Sequence, residues 1–105
     1  GDISAAIEAY TDTTGFSPAH DLAGHGVGYY VHEDPYVPNE GKKGTGPRLV
    51  PGMVIAIEPM LCEGSGVVDF DPDEYTVRTK DGLRSAHFEH TVLITHDGYE
   101  ILTMT

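Results

Sequence analysis

Apolar residues recur at Ile3, Ala6, Ile7 and Tyr10, the i, i+3, i+4, i+7 spacing of one helical stripe. Asp2 can cap the start of this helix, and Gly15 can close it in a left-handed turn. Beyond residue 16 the period shortens. Gly24, Gly26 and Gly28 exclude a regular helix, and Gly28-Tyr29-Tyr30-Val31 is rich in β-formers. Residues 39–52 hold four glycines, two prolines, Lys42, Lys43 and Arg48, which reads as a polar surface loop. Pro51-Gly52 turns the chain into a strand, Met53–Glu58. Along it Met53, Ile55 and Ile57 face one way, and Val54, Ala56 and Glu58 the other. Pro59 ends its hydrogen bonding. Residues 63–74 form a second loop with five acidic residues. Tyr75–Lys80 is a strand, Asp81-Gly82 a turn, and Ala86–Thr95 a longer strand. Asp97-Gly98 closes a hairpin onto Tyr99–Leu102. One helix followed by a mostly antiparallel sheet is an α+β layout.

Length and charge narrow the possibilities. A chain of 105 residues makes one small domain or a piece of a larger one. Six Lys+Arg against seventeen Asp+Glu leave a formal charge of −11. Such a chain is repelled by nucleic acid and by anionic membrane surfaces. No apolar run approaches the ~20 residues of a membrane span, and no basic, apolar leader is present. Starting at Gly1 rather than Met, the chain reads as a processed or excised piece. Cys62 is the one cysteine, which excludes an internal disulfide and fits a reducing, cytoplasmic setting.

Several motifs fail on inspection. Gly24-His25-Gly26-Val27-Gly28 lacks the last glycine of a dinucleotide loop, Val31 standing in its place. His32-Glu33 has Tyr36 where a helical zinc site needs a second histidine, and Pro35 would break the helix. In the Asp69-x-Asp71-x-Asp73 run, Glu74 replaces the turn glycine of a calcium loop and Lys80 its bidentate glutamate. Gly64-Ser65-Gly66 is not a nucleophile elbow, and Cys62 reads as a structural thiol.

His25, His32, Glu58 and Glu89 remain. Glu58 closes an apolar strand; it is either at a solvent-exposed end or held near the core by a cation, since burial without a partner costs several kcal/mol. Glu89 lies on a face with His87, Thr91 and Leu93, which is either plain surface or the wall of a polar cleft. Imidazole and carboxylate ligands together suit a divalent first-row metal.

Six short runs occur in order around these residues: Gly24–Gly28, His32-Glu33-Asp34-Pro35, Pro51-Gly52-Met53, Ile57-Glu58-Pro59-Met60, Thr76-Val77-x-Thr79-Lys80-Asp81 and Phe88-Glu89-His90-Thr91. The series resembles the C-terminal half of a type I methionine aminopeptidase over almost the whole of residues 1–105. The resemblance implies half of a pita-bread fold, a curved antiparallel sheet with helices outside. It also implies a site for two divalent metal ions (Mn, Fe, Co or Zn). By position, His25 and Glu58 would ligate one ion and Glu89 would bridge both. His32 would hydrogen-bond the scissile peptide, and Glu58 would shuttle the proton. Val31 and Tyr75 stand at substrate-pocket positions. The family's two Asp ligands and a further His belong to its N-terminal half, which this chain lacks. The isolated chain is therefore expected to be nearly inactive and to self-associate or need a partner. Its substrates would be the N-termini of peptides and nascent chains. A peptide-binding module without chemistry and a proline-specific relative are the alternatives. Inward carboxylates favour the enzyme over the module.

Overall fold

The computed structural model describes residues 1–104. The helix α1 runs Asp2–Asp12. Its buried residues are Ser4 and Thr11, and Ile3 packs on the core, while Tyr10 is exposed. The covered face is thus rotated from the apolar stripe. The reason is the neighbouring loop: a Cβ at Gly41 would press on the Ser4 side chain, so small residues let helix and loop approach. Asp2 makes no cap hydrogen bond. Its Oδ1 accepts from the Gly44 N–H at 2.7 Å, and Glu8 Oε2 accepts from the Gly41 N–H at 3.0 Å. Gly15 does take a positive φ, 79°, but beyond the helix end at Thr13.

Ten strands follow: β1 Ser17–Pro18, β2 Ala23–Gly26, β3 Glu33–Pro38, β4 Val54–Ile57, β5 Met60–Cys62, β6 Val68–Phe70, β7 Val77–Thr79, β8 Ser85–His87, β9 His90–Ile94 and β10 Tyr99–Ile101. A five-stranded sheet has the order β10-β9-β4-β2-β3, a three-stranded sheet β1-β5-β8, and β6 pairs with β7. Every pairing is antiparallel. The α+β expectation holds. Val37, Ile55 and Val92 form the core, with Ile3, Leu49, Ile57, Ile94 and Ile101 packed around them. The central strand β4 is covered on both faces: Ile55 and Ala56 are both 0% exposed.

Two expected strands differ. Gly28–Val31 is not a strand but part of the reversal joining β2 to β3. The Tyr30 N–H donates to Glu33 Oε2 at 2.8 Å, and the Gly28 N–H to the Tyr30 carbonyl at 3.2 Å. The antiparallel pairing of Gly24 with Val37 demands a turn here, and local β propensity yields to it. The long strand at 86–95 is broken at Phe88-Glu89 into β8 and β9. The chain between β4 and β5 breaks at Glu58-Pro59 in the same way. β4 pairs with β9 in one sheet, and β5 pairs with β8 in the other. Two adjacent strands therefore cross together from sheet to sheet. The crossing is held by the Phe88 N–H donating to the Pro59 carbonyl, 3.2 Å. One consequence is that Phe88, alternating with Val92 by period, is 75% exposed rather than in the core. It borders an apolar hollow of about 600 Å³ with Ile3, Leu49, Ile57 and Tyr99.

Candidate metal centre

The paired crossing places two carboxylates. Glu58 follows β4 and Glu89 precedes β9, so both side chains belong to the seam where hydrogen bonding passes from one sheet to the other. The histidine arrives from the next strand. β2 lies against β4 with His25 opposite Ala56, and its pairing with β3 on the other side shifts register after His25. That close fit needs glycine beside it: a Cβ at Gly24 would overlap the Ala56 carbonyl, and one at Gly26 the Asp34 carbonyl.

His25, Glu58 and Glu89 each offer one ligand atom, and these atoms all lie within 4.8 Å of one another. Among the described residues, this is the one group of three metal-binding side chains brought together in this way. His25 is buried, Glu58 half-buried and Glu89 exposed. The cluster thus opens to solvent on the Glu89 side.

The hydrogen bonding around His25 is specific. Its Nδ1 lies 2.9 Å from the Gly26 carbonyl oxygen. A carbonyl only accepts, so Nδ1 carries the proton. In neutral imidazole Nε2 is then a lone pair, yet it faces Glu58 Oε1 at 2.9 Å. Two lone pairs at that distance repel. A second ring proton or a metal cation must lie between them. Orientation of a ligating histidine by a backbone carbonyl on its other nitrogen is the usual support of a metal site. Two atoms bound to one first-row ion at about 2.0–2.2 Å sit roughly 3 Å apart, which matches this pair. The donor set of one imidazole and two carboxylates therefore fits a divalent ion.

His32 lies beside the cluster rather than in it. Its ring stacks obliquely on that of His25, with centroids 4.2 Å apart and planes at 54°. His32 itself is exposed. Tyr75 lines a hollow of about 340 Å³ with Met60, Cys62, Ala86 and His87. Val31 is not on those walls; it projects from the exposed 27–32 turn next to His32. Cys62 is buried and free, and burial pushes its thiol pKa up, which keeps it protonated and inert.

Two side chains at the site escaped the reading of the sequence. His87 Nε2 lies 3.1 Å from Glu58 Oε2. Its position two residues before Glu89, on the same strand face by period, was the available signal. Asn39 is buried and its Nδ2 reaches the Glu58 carbonyl at 3.5 Å. No pattern in the sequence singles it out.

Comparison with known proteins identifies the family. The profile of metallopeptidase family M24 matches residues 1–96. Methionine aminopeptidase B of Synechocystis sp. is 51% identical over 104 residues, covering 99% of this chain and 38% of that protein. Methionine aminopeptidase 1 of Bacillus subtilis is 51% identical over 102 residues, 97% of this chain and 41% of the relative. The crystal structure of methionine aminopeptidase from Thermotoga maritima superposes with a TM-score of 0.95 at 50% identity, over 100% of this chain and 42% of that one. That from Rickettsia prowazekii gives 0.95 at 41% identity, over 99% and 42%. The chain thus spans about two fifths of the length of the proteins it matches. With a donor set suited to a divalent ion and a profile match over residues 1–96, the chain belongs to metallopeptidase family M24.

Proposed function

We propose that this chain carries part of the metal site of a methionine aminopeptidase, which removes Met from the N-termini of peptides and nascent proteins. The observation that carries this reading is the convergence of His25, Glu58 and Glu89 at the seam of two sheets. His25 and Glu58 would hold one divalent ion and Glu89 would bridge to a second, with Mn, Fe, Co and Zn all compatible with the donors. Divalent ions bound there supply Lewis acidity and make water a competent nucleophile near neutral pH. Glu58, which has one oxygen toward His25, would take a proton and return it to the leaving amine. His32, beside His25 and open to solvent, donates a hydrogen bond to the scissile peptide and to the oxyanion that develops there. The apolar hollow walled by Met60, Ala86 and Tyr75 receives the Met side chain. Val31, exposed beside His32 and not on the walls of this hollow, would meet the substrate from the turn.

These residues supply an incomplete ligand set. The remaining ligands, two aspartates and a histidine, come from protein beyond residues 1–105. That protein also covers the apolar hollow at Phe88 and Tyr99; without it the chain self-associates through this face. A monodisperse monomer in light scattering would count against such coverage. The free, buried Cys62 fits a cytoplasmic site of action.

The test is release of Met from a Met-Ala peptide with Co²⁺ or Mn²⁺. The purified 105-residue chain is expected to turn over little or not at all, whereas the full-length protein carrying it is active. His25→Ala in that protein is expected to abolish release. Absence of Met release by the full-length protein with each of the four metals overturns the proposal, and robust turnover by the isolated chain overturns the claim that its ligand set is incomplete.

A further inference from the structure

His87 lies outside the converging set of ligand atoms, yet it touches the residue on which that set depends. Glu58 uses its two carboxylate oxygens differently: Oε1 faces His25 Nε2 at 2.9 Å, and Oε2 faces His87 Nε2 at 3.1 Å. A carboxylate oxygen accepts, so the His87 ring is the Nε2–H tautomer and donates. We infer that His87 is a positioning residue for Glu58: its Nε2–H holds Oε2 and keeps Oε1 turned toward His25 and the metal.

The exposure of the two partners shows which one depends on the contact. The Glu58 side chain is 12% exposed, the His87 side chain 46%. Water readily serves His87, whereas Glu58 has little access to it. A half-buried carboxylate oxygen left without a donor rotates toward one, and rotation about the terminal bond would turn Oε1 away from His25. The backbone makes the contact dependable. In the ladder of β5 and β8, His87 is paired with Met60, two residues after Glu58. The imidazole is therefore delivered from a hydrogen-bonded strand rather than from a mobile loop. The same ring lines the hollow walled by Tyr75 and Met60. His87 thus joins the proposed substrate hollow to the metal ligand.

This inference rests on the metal-centre reading, so its test reads the hydrogen bond and the metal separately. The unaltered full-length protein and its His87→Leu and His87→Gln variants are titrated with Co²⁺, followed by calorimetry and by the visible bands of bound cobalt. Leucine keeps bulk and removes the donor; glutamine keeps an N–H donor. His87→Leu is expected to weaken cobalt binding by about 10–100-fold, the usual cost of losing a group that orients a ligand, and to alter the bands. His87→Gln is expected to restore both to within a few-fold of the unaltered full-length protein. Unchanged binding and bands in His87→Leu, or a glutamine variant as weak as the leucine one, overturn the inference while leaving the metal centre standing. Failure of the unaltered full-length protein to bind cobalt overturns the metal-centre reading and this inference with it. Nitrogen NMR of the histidine rings needs no folded His87 variant. The His87 Nε2–H tautomer is expected, with a resonance that moves in Glu58→Gln. An Nδ1–H tautomer, or a resonance indifferent to Glu58→Gln, also overturns it.

Discussion

The ladder of β5 and β8 carries a glutamate at each end, and the two ends behave differently. Glu63, just after β5, binds Arg84, just before β8: Nε reaches Oε1 at 2.9 Å and a terminal nitrogen reaches Oε2 at 3.0 Å. Glu58, just before β5, meets His87 at the end of β8 and His25 from the neighbouring sheet. The first pair is a closed fork, since guanidinium has donors for both oxygens and no lone pair to offer. It lies at the surface, with Arg84 88% exposed. The second is open. One oxygen is satisfied by His87, and the other confronts a histidine whose proton is already committed to the Gly26 carbonyl. The difference comes from the junction with the five-stranded sheet. Where the ladder ends in water, a glutamate finds an arginine and needs nothing more. Where it ends against β2 and β4, the glutamate is turned inward, and its contact with His25 requires a ring proton or a metal cation.

Substitutions at the two glutamates test this contrast most directly. Glu58→Gln is expected to have the largest effect, removing cobalt binding at the cluster and lowering Met release by the full-length protein on the order of 10²–10⁴-fold. Glu63→Gln is expected to leave both unchanged. Equal losses in the two variants would mean that the ladder, not the open end, governs metal binding. Next in size is the support beneath Glu58. Ile55 is 0% exposed in the middle of β4, three residues before the carboxylate. Ile55→Ala is expected to lower stability by about 2–5 kcal/mol, read from urea unfolding followed by circular dichroism. If the global loss is small but cobalt binding falls sharply, β4 is positioning Glu58 locally rather than through the core.

The contrast also marks what the chain's pattern makes legible. Period-2 alternation located β4, β7, β9 and β10 to within a few residues, because each is edged by Pro-Gly, Asp-Gly or another strong turn signal. The breaks at Glu58-Pro59 and Phe88-Glu89 were half visible. Proline announced the first, whereas nothing in Ala86–Thr95 announces the second. That strand is interrupted because its partner is, which is a fact of pairing rather than of local sequence. For the same reason β5 and β6 went unseen, and Tyr29 and Tyr30 were read as strand although they occupy a reversal. Glu58 and Glu89 were legible as carboxylates costly to bury, whereas His25 took its role as a ligand from the resemblance of the runs around it. His87 was legible only as a neighbour of Glu89 on one strand face, since its contact with Glu58 depends on register with Met60 across two strands. The burial of Asn39 under the same seam had no signature at all.

The smallest effect expected is a pH dependence confined to the closed end. Hydrogen bonds from the Arg84 side chain, then from its backbone N–H, hold the Glu63 carboxyl below its ordinary range. Glu63 therefore gives up its proton more readily in the folded chain than in the unfolded one. Its contribution is complete above the unfolded value, about 4.5, and fades as pH falls through the lower folded value. The unfolding midpoint in urea of unaltered chain is expected to exceed that of Glu63→Gln by a small, constant amount above about pH 5.5, and the gap to close on acidification below the usual glutamate range. Solvent screens so exposed a pair, so the gap also shrinks in high salt. A gap that widens on acidification would reverse the assignment and make Arg84 an unfavourable neighbour. A gap unaffected by pH or salt would show that the two β-strands, rather than the charges, hold this end of the ladder together.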